Sequence, residues 1–376
     1  MSAECRHAIP RASAPFIWAD SPGQTSVVRQ FRDVWVNADG WVVDRTSCRA
    51  LRNGGCYQRA RANEWRPPDA AAAHLPVRPC VITLATVWGD AYYHFPMDAL
   101  VGLAALDTRE GRLLLSRCSL HVTRRKPYIE AWVNAVLATT SRLVSLVDGT
   151  VSAAVLHVPQ LGRCHRPHAG HVSWLRERVA TFVAANGSRA AAREEILLLV
   201  ERTAIVYSQG RVGGERSKML QSAAQLAKRR VLANFDEAVR APASRYAHKH
   251  GLKLVVHSDA SLPPLWEQLR RFASARVVVA PLGAAELGLL AARAGTCLVE
   301  LQEGQWDPEV IKKRPAAARG VNESHVLQPH DDTTYQYLAR MLGQQYVRVS
   351  THNWVADTDA VHAGLGRCHV PVPPQR

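Results

Sequence analysis

The pattern of apolar and polar positions divides the chain into a β-rich N-terminal part and a longer part in which strands and helices alternate. Two apolar runs, Val34–Val36 and Trp41–Val43, flank Asn37–Gly40, whose composition is typical of a tight turn. They predict an N-terminal β-ribbon. A polar stretch rich in arginine and proline follows from Arg59 to Pro79, and a more regular region is expected to begin at the apolar strand Cys80–Ala85.

From Cys80 onward, short apolar runs that indicate strands take turns with segments that indicate helices. The predicted strands are Arg112–Leu115, Leu143–Leu146, Ala153–Val158, Ile196–Val200, Leu252–His257, Arg276–Ala280 and Cys297–Leu301. The predicted helices are Pro96–Leu106, Pro127–Thr139, Trp174–Ala185, Leu220–Leu226, Pro264–Ala275 and Glu286–Ala294. This alternation is typical of a parallel sheet covered by helices on both faces, so we predict an α/β protein.

The segment from Pro159 to His171 contains four glycine or proline positions, Pro159, Gly162, Pro167 and Gly170, and predicts a linker. The expected organisation is an N-terminal β-rich extension over residues 1-79, a first α/β domain over 80-180, a second α/β domain over 181-350 and a C-terminal tail over 351-376. Open parallel sheets bind ligands at the carboxyl ends of their strands. Two such halves are therefore expected to face a shared cleft.

Composition adds a strong positive charge to this picture. The 376 residues carry a net charge of +15, and only seven of the 47 basic residues are lysine. The longest basic runs, Arg124–Lys126, Lys228–Arg230 and Lys312–Arg314, have three residues each, whereas polynucleotide-binding tracts usually have about 5 to 8. Nucleic-acid binding therefore stays a minor alternative to binding of a small anion. The mean hydropathy of -0.15 indicates a globular protein without a membrane helix.

The eight cysteines include no CxxC pair, which argues against a zinc ribbon or a thioredoxin-type motif. Cys48 and Cys56 could close a small disulfide loop, and free thiols are an equal alternative. The first residues contain no apolar signal segment, so we expect a soluble, cytoplasmic protein. Asp357-Thr358-Asp359 is formally a DxD metal motif, but it follows no apolar strand, and no metal site is predicted.

The turn after the predicted strand Arg276–Ala280 is a candidate anion site. Gly283 and Ala284 leave it nearly free of side chains, so that phosphates could approach its backbone N–H groups. The alternative is that these small residues only permit close packing. Glu300, at the end of the next strand, is a candidate ribose contact or a solvated strand end. Arg202 and the cluster ending at Arg230 supply cations suited to phosphate, unless they are ordinary surface residues.

A second candidate site follows the strand Cys80–Ala85. His94 and Asp98 lie four residues apart at the start of a predicted helix, which places them on one helical face. A carboxylate that orients an imidazole is the usual arrangement of a general base. The alternative is a first-turn carboxylate favoured by the helix dipole, next to an ordinary loop histidine.

Five segments in the right order make the chain resemble glycosyltransferase family 61 from about residue 80 to residue 346. The matching segments are Tyr92–Leu100, Val155–Pro159 with Ser173–Arg176, Arg202 with Arg229, Arg230, Asn234 and Glu237, Ala275–Ala284 with Leu298–Leu301, and Tyr337–Tyr346, which is similar to the closing helix of the family. Each segment alone is short. Their common order carries the resemblance.

The resemblance implies two Rossmann-like domains in the GT-B architecture and a metal-independent, inverting transfer of a sugar, most plausibly from a UDP-linked donor. The acceptor would be a glycan or a protein hydroxyl, and no cofactor is implied besides the nucleotide sugar itself. His94 or Asp98 would act as the base. The implied donor-binding residues are Arg202, Arg230, Asn234, Gly283, Ala284 and Glu300. Eukaryotic members of the family are typically anchored in the secretory pathway. No such anchor is expected here, because the first residues contain no apolar signal segment.

The chain departs from the family pattern at the turn. Leu282 stands where the family usually has histidine, and Ala285-Glu286 stand where it often has Gly-Leu. Loss of a donor-site imidazole would alter the donor, slow the reaction or mark a non-catalytic relative. A pseudoenzyme that binds nucleotide sugars or glycans is therefore the second hypothesis.

Overall fold

The computed structural model describes residues 28–45, 50–52, 74–137, 144–160, 167–187, 194–203, 205–207, 218–220, 230–304 and 334–370. The chain divides into two units, Met1–Phe182 and Val183–Arg376. Each unit has its own sheet, one mixed and one parallel, and helices accompany both. The predicted α/β class is confirmed.

The first unit contains a mixed eight-stranded sheet. Its strands are β1 Val28–Val36, β2 Trp41–Asp44, β3 Ala50–Arg52, β4 Val77–Arg78, β5 Val81–Thr83, β6 Ser119–His121, β7 Leu146–Val147 and β8 Val151–Pro159. Their order in the sheet is β3-β2-β1-β8-β5-β6-β7, with β4 also paired to β8. Strands β8, β5, β6 and β7 run parallel to one another. Strand β1 joins them antiparallel to β8.

The hairpin predicted around Asn37–Gly40 is formed by β1 and β2, with Val36 opposite Val42. The Asn37 side chain stabilises the turn, because its Oδ1 accepts the backbone N–H groups of Asp39 and Trp41 at 3.1 and 2.9 Å. Through β1 the hairpin continues the first sheet. Most of the polar stretch predicted from Arg59 to Pro79 lies outside the described residues.

The α-helices described in the first unit are Arg109–Arg117, Pro127–Leu137 and Ala169–Asn186, the last of which crosses the boundary between the units. The strand predicted at Arg112–Leu115 is wrong. Thr108 caps a helix there by accepting the Gly111 N–H at 3.0 Å, and helical spacing buries Leu115 while it exposes Leu113. Strand β6, which follows, was not predicted.

The second unit contains a sheet of five parallel strands, β9 Ile196–Glu201, β12 Lys253–Ser258, β13 Ala275–Pro281, β14 Cys297–Glu303 and β15 Gln345–Thr351. Their order in the sheet is β12-β9-β13-β14-β15. A separate pair is formed by β10 Ile205–Tyr207 and β11 Lys218–Leu220. The helix predicted at Leu220–Leu226 is contradicted at Leu220, which ends β11, and its remainder lies outside the described residues.

Short and regular helices cover the parallel sheet. They are the π-helical turn Asp236–Arg240, the α-helices Ala241–Lys249, Leu265–Ser274, Thr334–Met341 and Thr358–Gly366, and the 3-10 helix Ala284–Leu290. The α-helix predicted at Glu286–Ala294 is therefore a shorter 3-10 segment that begins two residues earlier. The closing helix predicted at Tyr337–Tyr346 ends at Met341, because Gly343 has a φ of 67° and Tyr346 already belongs to β15.

Residues predicted as a C-terminal tail complete the second core. In the helix Thr358–Gly366, Val361 and Leu365 are fully buried in the cluster that also contains Val299 and Val349. Asp357, the first residue of the formal DxD, caps this helix by accepting the Ala360 N–H at 2.7 Å.

Two disulfides are present in the described part of the chain, Cys80–Cys118 in the first unit and Cys297–Cys368 in the second. Cys48 and Cys56 lie outside the described residues. Cys80 and Cys118 precede the neighbouring parallel strands β5 and β6, whereas Cys297 in β14 is joined to Cys368 after the helix Thr358–Gly366. Sequence spacing alone indicates neither pair. Among the helices of the described residues, none combines the length and apolar character that crossing a membrane requires.

Candidate functional site

The first unit places His94 and Asp98 in direct contact. His94 Nδ1 lies 2.6 Å from Asp98 Oδ2, and the pair spans one helical turn, as the sequence predicts. The Asp98 side chain is completely buried, whereas 18% of the His94 side chain is exposed. Nδ1–H therefore donates to the carboxylate, which leaves Nε2 as the basic ring nitrogen. This geometry favours His94 as the proton acceptor and Asp98 as the group that orients it.

The backbone at this pair is unusual. Predicted as one α-helix, Pro96–Leu106 forms a π-helical turn over Phe95–Ala99 and then a 3-10 helix over Leu100–Leu106. His94 precedes the π-helical turn, and Asp98 lies within it. Single π-helical turns of this kind occur frequently at functional sites.

In the second unit, Arg202 follows β9 and packs against the turn after β13. A Cβ atom built on Gly283 would lie only 1.8 Å from Arg202 Nη2, so the guanidinium occupies the space that a side chain at 283 would need. Gly283 has a φ of 163°, an extended conformation open to any residue. The glycine is therefore required for space and not for backbone conformation.

Arg230 reaches the same turn from a different segment. Its Nη1 donates to the Leu282 carbonyl at 2.6 Å, and its own backbone adopts a left-handed φ of 62°. Such a conformation costs roughly 1 to 3 kcal/mol in a non-glycine residue and clusters at functional sites. Burial, and then the charge of Arg230, lowers the pKa of the Arg202 guanidinium. The two arginines are thus close enough to bind one anion together.

The backbone N–H groups of this turn are only partly available. Leu282 N–H donates to the Leu301 carbonyl at 2.9 Å, and Gly283 N–H donates to Glu286 Oε2 at 2.7 Å. Ala284 opens the following helix and remains a candidate backbone contact, since the first N–H groups of a helix have no helical acceptor. The arginine side chains, more than the backbone, are the cationic part of the site.

Glu300 is completely buried and does not lie at a solvated strand end. Its Oε2 accepts a hydrogen bond from the Tyr346 hydroxyl, and its carboxyl group interacts with that of Glu286, which is also completely buried. Glu300 therefore lies beneath the turn. The ribose contact predicted from the sequence requires a carboxylate that a ligand can reach, and the completely buried Glu300 does not offer one.

Asn234 is hydrogen-bonded to the backbone of Ala356, in the segment that follows β15. Its Nδ2 donates to the Ala356 carbonyl at 2.8 Å, and its Oδ1 accepts the Ala356 N–H at 3.0 Å. Glu303 stabilises the same segment by accepting hydrogen bonds from the N–H groups of Asn353 and Trp354, both of which have left-handed φ angles. Both polar groups of the Asn234 amide are thus used by the protein, which favours a structural role over the donor contact predicted from the sequence.

The structure brings Arg202, Arg230 and Gly283 together, and it pairs His94 with Asp98. Sequence reasoning missed Glu286, Glu303 and Tyr346. One signal could have found the first of these, because a glutamate three residues after a turn glycine is the reciprocal half of a capping box. The interactions of the other two cross between strands, and no local pattern indicates them.

These observations define an α/β protein with a histidine–aspartate pair in one unit and an arginine-lined turn in the other. Residues 92–299, just over half of the chain, match the family model described as Glycosyltransferase 61. The chain belongs to this family and is thereby placed among the glycosyltransferases. The match includes the histidine–aspartate pair, both arginines and the turn.

No curated protein matches the chain. Among solved structures, a variant of the flavo di-iron protein from Thermotoga maritima is similar to 63% of this chain, with 11% identity and a TM-score of 0.25. The similar region spans 46% of that protein.

Proposed function

We propose that the protein transfers a sugar from a nucleotide sugar of the UDP-linked class to a hydroxyl of a glycan or protein, with inversion and without a metal ion. The observation that carries this proposal is the convergence of Arg202 and Arg230 on the turn at Gly283. The GT-B architecture with two Rossmann-like domains is part of the same proposal. Membership of the glycosyltransferase 61 family supports it.

The arginines would bind the diphosphate of the donor. Arginine presents a planar fork of donors that matches phosphate oxygens, and two guanidinium groups neutralise the two charges of the diphosphate. As the bond to the sugar breaks, the departing nucleoside diphosphate gains negative charge, which the same groups stabilise. Two arginines thus supply the charge that a metal ion supplies in other transferases.

His94 would activate the acceptor. Its Nε2 removes the proton of the acceptor hydroxyl while the oxygen forms a bond to the anomeric carbon. The bond from that carbon to the diphosphate oxygen breaks, and its electron pair leaves with the nucleoside diphosphate. The buried Asp98 carboxylate, 2.6 Å from Nδ1, stabilises the imidazolium that forms. Attack on the face opposite to the leaving group inverts the anomeric configuration.

The test is a thermal-shift panel of UDP- and GDP-sugars in the presence of EDTA, followed by mass analysis of acceptors incubated with each donor that binds. A ligand at a hundred times its Kd stabilises the folded protein by about 2.7 kcal/mol. We expect a nucleotide sugar to raise Tm in EDTA and Arg202→Ala to reduce the shift. If no nucleotide sugar raises Tm, the proposal is wrong.

The second candidate is a non-catalytic protein that binds nucleotide sugars or glycans, favoured by Leu282 at the position of the family histidine. The two candidates share donor binding and differ in turnover. Donor binding without transfer to any glycan or protein acceptor, and without hydrolysis of the donor, would favour the second. The nucleic-acid alternative has less support, since Arg270, Arg276 and Arg293 among the described arginines are ion-paired with glutamates.

A further inference from the structure

Two carboxyl groups are buried side by side beneath the arginine-lined turn. Glu286 belongs to the 3-10 helix Ala284–Leu290 and Glu300 to β14, and both are completely buried. Each uses one oxygen in a hydrogen bond with a neighbour, Glu286 with the Gly283 N–H and Glu300 with the Tyr346 hydroxyl. The other oxygen of each, Oε1, is buried and has no donor among the described residues.

Two adjacent buried carboxylates repel each other and lack solvation, so they do not both ionise readily. Burial, and then the charge of Glu300, raises the pKa of Glu286, and burial raises the pKa of Glu300 to about 7. A hydrogen bond between the two groups requires that one of them carry a proton. A single shared proton would supply the donor that both orphaned oxygens lack.

The remaining charged and titratable groups around the pair come from five segments. Arg202 at the end of β9 and Arg230 favour the ionised form of Glu286, and Arg230 and Arg348 favour that of Glu300. Tyr346 donates to Glu300, while Tyr335 and Asp259 face Arg202. Arginine and tyrosine ordinarily titrate at about pH 10 or above. A proton exchanged near neutral pH is therefore assigned to the glutamates.

We propose that Glu286 is a positioning residue which shares one proton with Glu300 and thereby leaves the Arg202–Arg230 pair with net positive charge for an anionic ligand. With both glutamates ionised, their two charges would cancel those of the two arginines. With one proton shared, one positive charge remains. The ligand, the diphosphate of a nucleotide sugar, rests on the proposed function, whereas the shared proton does not.

The proposal makes donor binding depend on protons. The diphosphate brings negative charge towards the carboxyl pair and so favours its protonated form. Above the pH at which the unliganded pair begins to lose its shared proton, the pair must take up a proton when the donor binds. The donor affinity therefore falls by up to about tenfold for each further pH unit. Affinity falls, rather than rises, with increasing pH because the bound ligand raises the pKa of the carboxyl pair. A merely structural glutamate would leave the affinity independent of pH.

The shared proton is tested first in the unliganded protein by infrared difference spectroscopy. We expect wild type near pH 7 to show the carbonyl stretch of a protonated carboxyl group, and Glu286→Gln to lose it, because the amide donates to Glu300 and leaves that group ionised. Glu300→Gln should lose the same band. Glu267→Gln is the matched control, since Glu267 is ion-paired with Arg270 and Arg271 and should not contribute to the band. Absence of the band in wild type would overturn the shared proton.

The linkage is tested by calorimetric titration of UDP-glucose, or of whichever UDP-sugar the thermal-shift panel identifies, in buffers of different ionisation enthalpy between about pH 6.5 and 8.5. The diphosphate of a nucleotide sugar is a diester and does not titrate in this range. We expect proton uptake in wild type and none in Glu286→Gln, whose affinity should be independent of pH. Donor binding to wild type without uptake would overturn the linkage. If no nucleotide sugar binds, the proposed function and the linkage fail together, while the infrared band still decides the shared proton.

Discussion

Substitution of Gly283 by alanine tests whether the glycine serves Arg202 or the ligand. The new Cβ would lie 1.8 Å from Arg202 Nη2, whereas non-bonded carbon atoms sit at about 3.5 to 4.0 Å, so the guanidinium must move by roughly 2 Å. A displacement of that size breaks a charge-assisted hydrogen bond to phosphate, which contributes about 1.5 to 3 kcal/mol. The donor should therefore bind roughly 10- to 150-fold more weakly.

The fold should tolerate this change. The atom displaced is the far end of a flexible side chain, and the extended φ of 163° suits alanine as well as glycine. We expect the free energy of unfolding to change by less than about 1 kcal/mol. Urea unfolding and calorimetric titration of the donor measure the two quantities separately.

A double-mutant cycle distinguishes the two roles of Gly283. If the glycine only makes room for Arg202, the variant Gly283→Ala/Arg202→Ala should bind donor no more weakly than Arg202→Ala alone, because the second change removes nothing further. If a ligand approaches the Gly283 backbone itself, the two losses should add. Additive losses, or normal affinity in Gly283→Ala, would refute the role of the glycine described here.

Gly288 offers a matched control on the same 3-10 helix. A Cβ at this position would lie 2.2 Å from Cδ2 of the buried Phe272 ring, which has no room to move aside. Gly288→Ala should therefore destabilise the fold by about 1 to 3 kcal/mol. Donor affinity of the folded protein should stay within about twofold of wild type, the reverse of the pattern expected for Gly283→Ala.

Three further predictions concern catalysis, acid stability and covalent stability. His94→Ala should lower kcat by roughly 100- to 10,000-fold without changing donor Kd, and Asp98→Asn should lower kcat as well; steady-state kinetics with unaltered turnover in both would rule out the proposed base. Burial lowers the pKa of His121 to about 4, below its ordinary 6.5, so folding stability should fall as the pH decreases from about 6.5 towards 4. Urea unfolding at several pH values should show a smaller loss of unfolding free energy in His121→Gln than in wild type. If the unfolding free energy falls equally with pH in both proteins, His121 is not the cause. Replacement of the disulfide Cys297–Cys368, which spans 71 residues, by two serines should cost about 4 kcal/mol in unfolding free energy by the chain-entropy relation, and an unchanged denaturant midpoint would contradict this.

The first candidate pair was predictable because its information is local. His94 and Asp98 are four residues apart, and even the π-helical turn that replaces the predicted α-helix keeps them in contact. The strand around Val278 was equally clear, since a continuous apolar run between turn residues indicates a buried parallel strand. The strand predicted at Arg112–Leu115 failed because three consecutive leucines outweighed the capping signal at Thr108.

The surroundings of the arginine-lined turn were not predictable, because their contacts join distant segments. Glu286 resembles an ordinary first-turn carboxylate exposed to solvent, and only the packing of its helix against the helices Leu265–Ser274 and Thr334–Met341 shows that it is buried. Arg230 and Leu282 are 52 residues apart. Asn234 and Ala356 are 122 apart, so a tail predicted from polar composition is part of the support for the site. No short-range pattern encodes such pairs.

The tie between Asn234 and Ala356 has a consequence for the order of events during synthesis. Ribosomes add about 5 to 20 residues per second, so roughly 6 to 24 s pass between the synthesis of these two residues. During that interval the amide of Asn234 lacks its partner, and Ala233 N–H lacks the Trp354 carbonyl to which it finally donates. The loop that carries Arg230 is therefore completed only after strand β15 has been made. Nascent chains that already contain β9, β13 and β14 should still be unable to retain the donor.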